Sequence, residues 1–204
     1  QTRENAVALA KSMAVTGNSL GMKVTAQVTE MDNPIGRMFG NSHEIVECIQ
    51  CLKGHGPADT MELVYAQAEA LGYEIQASIS DGSALKEFEQ MCIRQNVDPR
   101  VVLLLASEPW SVLDRAPVST EIIAQNSGYI SQINALTIGE VLCKLGAGRT
   151  GENPDIDHGV GAELLVDIGD EITAGESWIR FDAREDMSAE MVETIQNSLS
   201  VSET

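Results

Sequence analysis

Behind Thr2, a residue suited to capping a helix, apolar positions recur at three- and four-residue steps through Ala6, Leu9, Ala10 and Met13. With Gly17 as a stop, this spacing predicts a first amphipathic helix. The period then changes to two: Met22 to Thr29 places Val24, Ala26 and Val28 on one face and is rich in Val and Thr, which predicts a strand. Helical spacing returns with Ile45, Val46, Ile49 and Leu52, for a helix over 42–52 ending at Gly54. Pro57 suits the first turn of a further helix carrying Met61, Leu63, Val64 and Ala68 toward Gly72. Asp81 or Ser83 can cap another, bearing Leu85, Phe88, Met91 and Cys92, and a short helix over 101–106 follows Pro99.

Between Pro109 and Pro117 the pattern changes. Short alternating runs over 118–124, 129–133, 162–166 and 177–181, separated by Gly, Asn and Asp, predict a small antiparallel sheet domain. A helix over 137–145, with Ile138, Val141, Leu142 and Leu145 inward, ends on Gly146-Ala147-Gly148. A last helix over 188–199 opens on a capping-box-like Ser188-Ala189-Glu190-Met191 and, being weakly apolar, is expected to dock loosely. The division is therefore 1–112, helix-rich around at least one strand, and 113–204, strand-rich.

Composition narrows the function classes. A chain of 204 residues that is 43% apolar can bury an ordinary core. Its net charge of -18, with 13 basic residues scattered singly, leaves no basic cluster for a row of phosphates, so nucleic acid is excluded as an expected partner. No apolar run approaches the roughly 20 residues that cross a bilayer, and the first residues lack a leader pattern, so no membrane association and a cytoplasmic location are expected. Cys48, Cys51, Cys92 and Cys143 are too few and too irregular for a disulfide framework, which fits a reducing compartment.

The candidate site is the loop Thr29-Glu30-Met31-Asp32-Asn33-Pro34-Ile35-Gly36-Arg37-Met38-Phe39-Gly40-Asn41, followed after one helix by Gly54-His55-Gly56-Pro57-Ala58-Asp59. Glycines and prolines between an alternating and a periodic run mark a shaped strand-to-helix connection. At these residues, and again at Leu145-Gly146-Ala147-Gly148-Arg149, Gly159-Val160-Gly161 and Ala174-Gly175-Glu176, the chain resembles the thymidine phosphorylase / pyrimidine-nucleoside phosphorylase family. The likeness runs from about Ala6 to Phe181 and begins partway into the family's pattern. It implies a mixed α/β fold: the C-terminal half of the phosphorylase α/β domain followed by a C-terminal domain of the α/β-hammerhead type.

The resemblance also implies an activity for the intact enzyme, a pentosyltransferase converting thymidine and phosphate to thymine and 2-deoxyribose 1-phosphate. A broader pyrimidine-nucleoside phosphorylase is the alternative. Such a reaction passes through a cationic, oxocarbenium-like transition state and needs donors around phosphate, polar groups on the base and a closing cleft. The family's phosphate loop and base-reading residues match no position here, so no catalytic residue is assigned and the chain is expected to be an inactive fragment on its own. Family members are homodimers through a helical domain that has no counterpart here.

One family feature does map onto the loop. It implies a cation, K⁺ or Ca²⁺, held by the main-chain carbonyls of Ile35 and Met38 and by Glu47, with no organic cofactor. Oxygen donors of this kind suit a hard cation. The competing reading makes Glu47 a solvated helix residue and the loop a tight connector.

Other chemistry-bearing residues point to less. Cys48, Cys51 and His55 lack the fourth ligand of a structural zinc site and fall in a periodic helix, where half-buried thiols are expected. His43, His55 and His158 stand apart from any nucleophile and are expected in loops or at the surface. Arg149, after a helix stop, is expected to pair with a carboxylate or to help the two parts pack. The run 167–176 also resembles a hairpin of biotinyl and lipoyl carrier domains, which gives a non-catalytic alternative; Lys144, inside a helical pattern, argues against it.

Overall fold

The computed structural model describes residues 2–149 and 154–202. Helix α1 spans Arg3–Ser19, and its Thr2 cap accepts from the Asn5 N–H. A two-residue strand β1 (Met38–Phe39) leads directly into α2 (Asn41–Leu52). Four helices follow: α3 (Ala58–Ala70), the short α4 (Gln76–Ser80), α5 (Ser83–Arg94) and α6 (Pro99–Ser107). Pro99 sits at the start of α6, where its missing N–H costs nothing, and Asp98 caps the Arg100 N–H.

The second part begins with β2 (Val118–Ile123) and β3 (Gly128–Ile133), then α7 (Ala135–Leu145), capped by Asn134 and closed by left-handed Gly146. Next come β4 (Gly161–Leu164), β5 (Glu171–Ile172), β6 (Ser177–Ala183), α8 (Ala189–Gln196) and β7 (Leu199–Ser202). These strands form two antiparallel sheets, one in the order β1-β4-β6-β2 and one in the order β5-β3-β7. The fold is mixed α/β, as the sequence predicts.

A single large core lies between the sheets and α7 and α8. Trp178, Ile179 and Phe181 of β6 are fully buried against Ile122, Ile130, Ile138, Val141 and Ile195. The helix-rich part has nothing comparable: its buried apolar residues are Val46, Ile49, Ile79, Val102 and Ala106, and neither α3 nor α5 buries a residue fully.

Four expectations are corrected by the structure. The run over 22–29 joins no sheet; it forms no strand, because no other described strand pairs with it. The last helix is not loosely docked, since Ile195 is fully buried in the core, and the helix stops before Leu199, which starts β7. β1 falls in what reads as loop, because a two-residue strand carries no period. His43 is a buried residue at 1% exposure rather than a surface one.

Candidate functional site

The loop from Asp32 to Gly40 is fastened to the second part at several points. Asn33 accepts from the Ile133 N–H at 2.9 Å, the Asp32 carbonyl accepts from the Ala135 N–H at 3.1 Å, and the Arg37 carbonyl accepts from the Leu164 N–H at 2.8 Å. Pairing of Met38 with Glu163 and Phe39 with Ala162 continues that ladder. The Arg37 guanidinium reaches further, donating to both Asp167 oxygens beyond β4. Both side chains of this pair are about half exposed, so the pair fixes geometry more than it stabilises.

On its other side the loop is held by two carboxylates. The Gly36 N–H donates to Asp59 at 2.9 Å, while Glu47 Oε1 accepts from the Arg37 N–H at 2.7 Å and the Met38 N–H at 3.1 Å. Gly36 has φ of +78°, a left-handed conformation that lets successive N–H groups converge on the acids. The space where a Cβ on Gly36 would stand is already filled by Glu47 Oε2, so glycine is needed here for room as well.

Glu47 is a buried carboxylate, which corrects the reading of it as a solvated helix residue. Burial pushes its pKa up; the hydrogen bonds from Arg37 and Met38 oppose this, and the nearby charges of Asp59 and Glu44 add to it. An ionised Glu47 therefore sits in a negative potential that a cation would offset. The Ile35 carbonyl accepts no hydrogen bond among the described residues. Because Arg37 bonds β4 through its carbonyl, alternation turns the Met38 backbone away from β4, on the side of its N–H bond to Glu47. Two carbonyls and one carboxylate oxygen match a hard cation in donor type but fall short of the six to eight oxygens that Ca²⁺ takes.

Beside these groups opens a cleft of about 880 Å³, lined among others by Glu30, Glu163, Asp167 and His55. Its basic side chain, Arg37, is engaged by Asp167, and Arg180, next to the cleft, is paired with Glu163. Such a cleft favours cations over phosphate. Cys48 and Cys51 lie on α2 as expected, unpaired; burial, then Glu47 and Cys48, push the Cys51 thiol up to about 11, so it is neither nucleophile nor ready ligand at neutral pH. Among the described residues no group of three or more His, Cys, Asp or Glu side chains could hold a metal ion.

Behind the loop lies a cluster the sequence pattern does not reveal. His43 on α2 bonds Asp182 on β6 at 2.9 Å, Arg115 donates to the same Asp182 oxygen at 2.7 Å, and Trp110 stacks edge-on against His43 with Arg115 over its ring. This network ties the helix that carries Glu47 to the central strand of the core. The one signal available was charge: an Asp between Phe181 and Ala183 in an apolar run needs a partner. His55 and His158 are exposed as expected. Arg149 is exposed and forms no ion pair among the described residues, so neither of its expected roles is found.

Replacing Glu47 with Gln separates its two roles. The amide oxygen still accepts from Arg37 and Met38 while the charge is gone, so stability without a bound cation should stay within about 1 kcal/mol of the parent. Replacing it with Ala strands two N–H groups and should cost about 1–3 kcal/mol for each. Urea denaturation of both variants checks this; equal losses would show that the loop does not depend on the clamp.

Residues 129–202 match the pyrimidine nucleoside phosphorylase C-terminal domain. Across 195 residues, 87% of the chain, it is 38% identical to a human thymidine phosphorylase. It is also 33% identical over 98% of its length to a pyrimidine-nucleoside phosphorylase of Geobacillus stearothermophilus, and 32% identical over its whole length to one of Staphylococcus aureus. The chain spans 40%, 48% and 49% of those relatives' own lengths, less than half of each.

Proposed function

Since the chain belongs to the thymidine phosphorylase / pyrimidine-nucleoside phosphorylase family, we propose that it supplies the hinge loop and C-terminal lobe of a thymidine phosphorylase. In that enzyme the atoms that grip phosphate and nucleoside come from polypeptide outside this chain. The observation that carries this reading is the continuous likeness over nearly all of the chain to enzymes twice its length. The acidic cleft and the sparse core of residues 1–112 support it, because an anion site and much of the packing are both wanting there.

In the working enzyme phosphate displaces thymine from the anomeric carbon of thymidine, giving 2-deoxyribose 1-phosphate. The contribution of this chain is positional. The loop from Asp32 to Gly40, gripped by Glu47 and Asp59 on one side and by β4 and Asp167 on the other, fixes one wall of the cleft against the C-terminal lobe. The Ile35 and Met38 carbonyls with Glu47 hold a cation such as K⁺ there, neutralising Glu47 and stiffening the wall. With Glu47 replaced by Gln, stabilisation by K⁺ in thermal unfolding should vanish; an unchanged K⁺ effect would remove the cation from this site.

The test of function is reconstitution. The chain is mixed with the portion of human thymidine phosphorylase that precedes the matched region, and thymine release is followed with phosphate present. Phosphate-dependent turnover from the mixture, with none from either component, supports the reading; turnover by this chain alone would place the reacting groups within it. Release of uracil from uridine at a comparable rate would favour the broader pyrimidine-nucleoside enzyme.

A further inference from the structure

The loop that walls the acidic cleft has a second cavity on its other side. Asn33, Pro34 and Ile35 line the cleft and also a separate pocket of about 430 Å³ between the loop and α7. Three residues therefore partition two cavities.

The partition is fastened at its ends and free between them. Asn33 is held by the Ile133 N–H and Gly36 by Asp59, whereas neither Pro34 nor Ile35 makes a backbone hydrogen bond among the described residues. A ligand in the pocket would rest on that unbonded span.

The pocket differs in chemistry from the cleft. Its lining includes the buried Ile138 and Leu142 of α7 and the half-buried Phe39, and its volume falls in the range of about 300–1,000 Å³ that small-molecule sites occupy. Two polar side chains from the start of α2 join this apolar lining. The Asn41 amide donates to the Ala147 carbonyl at 3.3 Å and keeps its own oxygen open, while the Glu44 carboxylate accepts from the Gly40 N–H at 3.2 Å through Oε1 and keeps Oε2 open among the described residues. Both open atoms are acceptors. No Lys or Arg lines the pocket among the described residues, and the net charge of -18 disfavours an anion of the same shape.

We propose that this pocket binds a small aromatic ammonium compound, its ring against Phe39, Ile138 and Leu142 and its ammonium held by Glu44 and the Asn41 oxygen, and that occupation stiffens the Asn33–Ile35 wall. The bond to Glu44 is charge-assisted and the ring removes apolar surface from water, so the two ends of the ligand are recognised separately. Coupling through the wall is reciprocal: a ligand that orders it from the cleft side tightens binding in the pocket. This site does not depend on the phosphorylase reading.

Titration calorimetry of the full chain with tryptamine tests the site, with indolepropionate as the same ring carrying the opposite charge. Tryptamine should bind saturably at one site and about 10-fold or more tighter than indolepropionate, and Glu44→Gln should remove most of that difference. Gly139 lines the pocket and not the cleft, and a Cβ there meets nothing within 4 Å, so Gly139→Leu suits the helix while filling the cavity. That variant should unfold no earlier than the parent and bind tryptamine about 10-fold or more weakly. Hydrogen exchange at the Ile35 amide should slow about 10-fold or more with tryptamine in the parent and stay unchanged in Gly139→Leu. No saturable heat at millimolar tryptamine, or equal binding of indolepropionate, would overturn the site. Undiminished binding to Gly139→Leu would move the amine to the acidic cleft and overturn it too. Binding that leaves exchange at Ile35 unaltered would overturn the coupling to the wall.

Discussion

Asp182→Ala is expected to lower the unfolding free energy by about 3–5 kcal/mol, as removal of one partner from a buried ion pair typically does. Asp182 is almost fully buried, and its Oδ2 is the meeting point of His43 and Arg115. Without it, His43, already lacking a partner at Nδ1, is left buried with neither nitrogen bonded, and Arg115 loses its ion-pair partner. The same group sets a pH dependence. Burial alone would raise the Asp182 pKa, but hydrogen bonds from His43 and Arg115 and the charge of Arg115 together bring it down to about 2. A carboxyl lowered by folding contributes stability that is fully present above its unfolded value of about 4 and is lost as pH falls toward 2. Denaturant melts from pH 6 to pH 2 should therefore show an acid-side loss in the parent that is flattened in Asp182→Asn; parallel curves would contradict the role given to this cluster.

The second large effect is expected at Gly40→Ala. Gly40 caps α2 with φ of +99° and ψ of 158°, a conformation essentially reserved for glycine and costing other residues about 1–3 kcal/mol. A Cβ there would also stand 2.4 Å from the Val160 carbonyl oxygen and 2.8 Å from the Gly161 Cα, and backbone cannot swing aside as a side chain can. Overpacking adds about 1–3 kcal/mol more. Relief comes by moving the start of α2, and with it Glu47. The variant should lose several kcal/mol in urea denaturation and also its stabilisation by K⁺. Loss of stability with the K⁺ effect intact would uncouple the loop's shape from the cation.

What the sequence made legible follows from what each element depends on. Helices α1, α2, α5 and α7 carry their own apolar periods, and α1 and α7 their own capping side chains Thr2 and Asn134, and these local features survive into the structure. β1, β5 and β7 could not be read that way: with two to four residues each, they exist because β4 and β3 present free edges to them. The segment 22–29 is the reverse case, a legible strand pattern with no edge to join. At the site, Pro34, Gly36 and Gly40 mark the loop in the sequence, and the family resemblance points to Glu47. The Asp59 clamp and the His43–Asp182–Arg115 network join residues 23 to 139 positions apart, which no short-range period encodes.

Binding of substrates by the isolated chain probes the division of labour most directly. Titration calorimetry with phosphate, with thymidine and with both together, at up to millimolar ligand, should give no saturable heat, because the cleft is acidic and Arg37 in it and Arg180 beside it are both engaged by carboxylates. The same chain reconstituted with the human thymidine phosphorylase portion should bind both. Saturable binding of phosphate and nucleoside by the 204 residues alone would contradict the proposal that the substrate-gripping atoms lie outside this chain.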